Sequence, residues 1–145
     1  MPRFFTAEEF GALERLGEIL LPPYAGRPGS REAEAAAFLD FLLANSPADR
    51  VELYRQGLAK LNSEARRRYQ KSFAELTAEQ AAPILSPLEK PWSYHPPEDP
   101  LARFLVAVKD DVFLATTNSR EWAAVMARRS RRAGGLGTYW YSVED

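Results

Sequence analysis

The side chains with which this chain could do chemistry are few. His95 is its only histidine and it has no cysteine. Cysteine nucleophiles, thiolate zinc, iron–sulfur clusters, disulfides and covalent c-type haem attachment are therefore excluded together. His95 lies in the loop text SPLEKPWSYHPPEDP. Acid–base work there would need a nucleophile or carboxylate partner that no motif supplies, and metal sites rarely rest on one histidine. It reads as a loop histidine packed against proline. Asp40, inside the apolar run AAAFLDFLL, reads as facing solvent or bonding a neighbouring loop. Asp40 and Tyr54 are the groups whose convergence with others in space would reopen an enzymatic reading. No catalytic, cofactor-binding or metal-binding residue is assigned.

The arginines offer recognition rather than catalysis. Arg66, Arg67 and Arg68 are consecutive, so on a helix they point about 100° apart and form no single face. Arg128, Arg129, Arg131 and Arg132 share the letters of a twin-arginine export signal but have no apolar segment after them. They suit a helix C-terminus or an acidic partner. Gly134-Gly135-Leu136-Gly137 lacks the flanking strand and helix of a dinucleotide fingerprint and reads as a stop signal. Tyr139, Trp140 and Tyr141 form an aromatic tail that either folds back on the domain or docks against a second protein. Candidate partner contacts are Tyr24, Arg27, Trp92, Arg128, Arg129, Tyr139, Trp140 and Tyr141.

Helices must position these groups. Thr6-Ala-Glu-Glu9 has capping-box spacing and starts a helix near Ala7 with the stripe Phe10, Leu13, Leu16 and Leu20. Gly11 and Gly17 within it suit the close approach of another backbone. Pro22-Pro23 ends that helix, and a Gly/Pro elbow leads to Ser30, expected to cap a second helix covering Ala33 to Leu43. Phe38, Phe41, Leu42 and the alanines make a face that expects helices on more than one side. Ser46-Pro47-Ala-Asp49 opens a third helix with Val51, Tyr54, Leu58 and Leu61 inward. Asn62-Ser63 is expected to break it and cap a fourth, carrying Ala65, Tyr69, Phe73 and Leu76. Thr77-Ala-Glu-Gln80 begins a short fifth helix through Leu85. Five of the 11 prolines fall between Ser86 and Pro100, an ordered crossing loop. From Leu101 the stripe Leu101, Phe104, Leu105, Val108, Val112 and Ala115 marks a central helix. Ser119 opens the last one, with Trp122, Val125 and Met126 on one side.

The fold expected is all-α: a single-domain bundle of about six or seven helices over residues 1–145, with a Pro-rich loop at 86–100 and an aromatic tail at 134–145. Its 145 residues suffice for one core. Hydrophobic residues at 46% and a formal charge of −1 exclude wholesale attraction to nucleic acid, and no run is long enough to span a bilayer. The opening MPRFFTAEEF lacks the basic and apolar segments of a signal peptide.

Taken in order, TAEEF…LERLGEILLPP, PGSREAEAAAFLDFLL and YRQGLAKLNSEARRRYQKSFAELTAEQAAPIL make a progression that resembles the gluconate 2-dehydrogenase subunit 3 family. The likeness covers roughly the first 85 residues by motif order, more loosely Leu101 to Trp122, and does not extend to the glycine-rich aromatic ending. The resemblance implies a small non-catalytic subunit beside a large flavoprotein of the glucose-methanol-choline oxidoreductase type, often with a separate cytochrome c subunit. FAD is then expected in the partner and no cofactor in this chain. Such subunits assist maturation and export of the flavoprotein, so the expected location is cytoplasmic unless the chain is co-exported with a signal-bearing partner. The alternative is a free-standing helical domain that binds a protein or a small ligand.

Overall fold

The computed structural model describes residues 4–89 and 97–132. Six α-helices follow in order: α1 (Ala7–Leu20), α2 (Ala35–Leu43), α3 (Ala48–Tyr69), α4 (Ala78–Ala81), α5 (Pro100–Thr117) and α6 (Arg120–Arg132). Two short 3₁₀ turns, Phe73–Glu75 and Ser86–Glu89, flank α4. The described residues contain no strand, so the protein is an all-α bundle, as its helical periodicities require.

Local signals set most helix starts. The Thr6 hydroxyl accepts from the Glu9 N–H and the Glu9 carboxylate accepts from the Thr6 N–H, closing the expected capping box. Thr77 and Gln80 do the same for α4. The Ser119 hydroxyl accepts from the Trp122 N–H at the start of α6. The sequence reading overlooked Asp99, whose carboxylate accepts from the Ala102 N–H and caps α5 with Pro100 in its first turn.

Helix α5 lies at the centre, packed against α1, α2, α3 and α6. All six residues of its expected stripe are buried. It packs tightly on α3 at Gly57, where an added Cβ would lie 2.0 Å from Cγ of Phe104. Only a glycine lets the Phe104 ring seat there. Gly17 serves α1 in the same way: a Cβ there would meet Oγ of Ser30 at 2.7 Å.

Several expectations are corrected. Helix α3 does not break at Asn62-Ser63 but runs on to Tyr69, because Tyr54, Leu58, Leu61 and Ala65 keep one buried stripe and packing on α5 overrides the local turn preference. Asn62 instead reaches out of the helix, and its buried Oδ1 accepts from the Phe73 N–H at 2.9 Å. The fourth helix expected there is therefore absent: Phe73 lies in a 3₁₀ turn with its own Ser72–Glu75 capping box. Ser30 caps nothing. It is buried against Gly17, and α2 starts at Ala35 after Glu34 takes a left-handed conformation with φ of 55°. The Ser46 hydroxyl donates backwards to the Leu42 carbonyl, leaving Pro47 at the α3 N-cap. Helix α4 stops at Ala81 and continues to Leu85 only as turns.

Candidate functional site

Asp40 and Tyr54 prove to be structural. Asp40 is buried, and its Oδ1 accepts from the N–H groups of Phe4 and Phe5 at 3.0 and 2.8 Å. It pins the segment before α1 onto α2. Tyr54 is fully buried between Phe5 and Phe104, and its hydroxyl donates to Oδ2 of Asp111 at 2.5 Å. Arg50 pairs with the same oxygen at 2.8 Å. Burial first, and then the Asp111 carboxylate, push the Tyr54 phenol far above its ordinary range. It remains a neutral donor, not a base. Arg66, Arg67 and Arg68 pair with Glu8 and Glu64 on the surface.

Four of the candidate contacts come together at one corner. In the elbow, Tyr24 and Arg27 exchange backbone hydrogen bonds across Ala25 and Gly26, whose φ values of 52° and 79° make a tight turn of the hairpin kind. The turn is held against α6. The Arg129 guanidinium donates to the Ala25 carbonyl, and the Arg27 guanidinium stands over the Trp122 ring, 5.7 Å from its centroid. Arg27 and Arg129 are thus engaged within the chain. Tyr24, 76% exposed, and the exposed Arg128 border the open cleft between elbow and helix. Trp92, Tyr139, Trp140, Tyr141 and also His95 lie outside the described residues.

The sequence reading missed a second surface. It expected other helices to cover Phe38, Phe41 and Leu42, yet all three are exposed. So are Val106, Phe113 and Leu114 on α5. Among the described residues, these six and Tyr24 are the exposed large apolar side chains, so all but one fall on two adjacent helices. A groove of about 580 Å³ runs between those helices, with Phe38, Leu42 and Leu114 on its walls and Arg50, Asp111 and Arg120 at its polar positions. Concentrated apolar exposure of this kind marks interaction surfaces. The signal was present in α2 itself, where eight of nine residues are apolar and one buried face cannot take them all.

Among the described residues, no group of three acidic or histidine side chains is placed to hold a metal ion, and no helix is long and apolar enough to cross a membrane. Fold and surface together define the class: a small all-α protein with a concentrated exposed apolar surface on two adjacent helices. The family model for gluconate 2-dehydrogenase subunit 3 matches residues 7–126, and the chain belongs to that family. The family is a subunit of a dehydrogenase complex. Comparison with curated proteins and with solved structures finds no match.

Proposed function

We propose that this chain is the non-catalytic accessory subunit of a flavin-dependent sugar or alcohol dehydrogenase. It binds the large flavoprotein of the glucose-methanol-choline type and supports its maturation or export. FAD belongs to that partner, and complexes that include a cytochrome c subunit carry their haem there. The observation that carries the reading is the gathering of six exposed large apolar residues on α2 and α5, in a chain whose family is named as a subunit. A surface of that composition gains free energy when a partner removes it from water. The Tyr24 and Arg128 corner, at the separate cleft between elbow and α6, adds the residue types that interfaces favour.

Co-expression with the flavoprotein encoded nearest to it tests the reading. The two chains should co-purify with flavin absorbance, and replacing Phe41 and Phe113 together with serine should release the flavoprotein while leaving this chain folded. Recovery of the chain alone and monomeric, from cells containing the folded flavoprotein, would falsify the subunit reading and return the protein to the class of free-standing binding domains.

A further inference from the structure

We propose that the recess where α1 meets the start of α2 is a binding site for a small aliphatic α-amino acid, recognised as its zwitterion. The proposal stands independently of the subunit reading.

The recess has a volume of about 190 Å³. A cavity of about 150 Å³ holds benzene, so there is room for a ligand of about six to nine heavy atoms. Its polar end is the first turn of α2. There the Ala35 N–H donates to the Ser30 carbonyl at 2.9 Å and the Phe38 N–H to the Glu34 carbonyl at 3.1 Å. Between them, the N–H groups of Ala36 and Ala37 have no hydrogen-bond partner among the described residues, and Glu34 contributes no side-chain cap. Both alanines line the recess, so the positive end of the helix and two backbone donors are left for an anionic group. Ser30 converges on the same place independently. It lines the recess and is only 3% exposed, yet its hydroxyl makes no hydrogen bond among the described residues. Buried hydroxyls are ordinarily bonded, and a ligand in the recess supplies the missing acceptor.

The charges decide what kind of ligand. Glu14, Arg31 and Glu34 also line the recess. The Arg31 guanidinium is taken up by Glu14 at 3.4 Å and Glu18 at 3.1 Å, whereas Glu34 carries no ion pair among the described residues. A phosphate or a plain carboxylate would find donors at the helix start but repulsion from Glu34. A zwitterion suits both: its carboxylate accepts from Ala36, Ala37 and Ser30 while its ammonium donates to Glu34. Phe10, Leu13 and Val112 form the apolar wall for an aliphatic side chain. Gly17 keeps the space beside Ser30 open, since a Cβ there would lie 2.7 Å from Oγ of Ser30.

Titration of the isotopically labelled full-length protein with L-valine tests the site, read as backbone amide shifts of Ala36 and Ala37. Both peaks should move saturably. The Kd should rise about fivefold in Ser30→Ala and about tenfold in Glu34→Gln, the loss of a neutral and of a charge-assisted hydrogen bond. Glu34 is exposed, so Glu34→Gln keeps the fold, and the rest of the spectrum reports this for each variant. Acetate and isobutylamine, with one charged group each, should bind about tenfold more weakly than L-valine. Peaks that stay fixed or move without saturating would overturn the proposal. So would a Kd unchanged by Glu34→Gln, which would put the amino acid elsewhere, or acetate binding as tightly as L-valine, which would make the recess a general anion site.

Discussion

Along α1 and α3 the surface is laced with ion pairs: Glu8 with Arg66, Glu9 with Arg55, and Glu14 and Glu18 with Arg31 just before α2. Along α2 and α5 the exposed positions include Phe38, Phe41, Val106, Phe113 and Leu114, with Arg50–Asp111 as the one ion pair on that side among the described residues. Both sides cover the same core. The contrast is not one of stability, because exposed ion pairs contribute only about 0–1 kcal/mol and the apolar side chains remain in water. It concerns what each side is prepared to meet. The paired side is chemically satisfied by its own chain, whereas the apolar side gains by being covered.

The comparison breaks most completely if α5 is unseated from α3. Gly57→Ala places a methyl inside the Phe104 ring, and we expect a loss of about 3 kcal/mol, read as a lowered urea midpoint. With α5 displaced, the α2–α5 surface should lose its order while α1 keeps its capping box. Asp111→Ala comes next. It strands the Tyr54 hydroxyl in the core and removes the partner of Arg50, at a cost of about 2 kcal/mol. Adding Tyr54→Phe should recover part of that loss in a double-mutant cycle, since it removes the stranded donor.

Asp40→Ala removes the acceptor for two backbone N–H groups and should cost about 1–2 kcal/mol, with faster hydrogen exchange at Phe4 and Phe5 as its local signature. Phe41→Ser sharpens the comparison from the other side. Phe41 is 58% exposed, so its replacement should alter stability by no more than about 0.5 kcal/mol while weakening any complex formed through that face.

The smallest effect belongs to the ion-paired side. The Arg66 guanidinium hydrogen bonded to Glu8 holds that carboxyl below its ordinary value of 4.5. A depressed folded value means the pair stabilises above 4.5 and the contribution is lost as pH falls through the lowered value. Carboxyl NMR titration should show Glu8 below the ordinary range and its return there in Arg66→Met. Salt should weaken the shift, because both side chains are exposed.

Much of this architecture is legible in residue order. Capping boxes at Thr6 and Thr77, proline stops, and the stripe from Leu101 to Ala115 are local signals, and each helix they mark is present. Asn62 was misread because its turn preference is also local, whereas the packing that carries α3 past it is not. The elbow was legible as a stop, but its engagement with Trp122 and Arg129 joins residues about a hundred positions apart.

The sequence by itself determined that the chain is helical, where most of its helices begin, the main buried stripe of α5, and the family to which it belongs. Periodicity and capping depend on neighbours within a few residues, and those neighbours are written in the sequence. Only the tertiary structure decided that Asp40 and Tyr54 are braced within the fold, that the elbow seats on α6, and that α2 and α5 turn apolar residues outward. Burial depends on which helices arrive on which side, and one helix's periodicity cannot report what covers its second face.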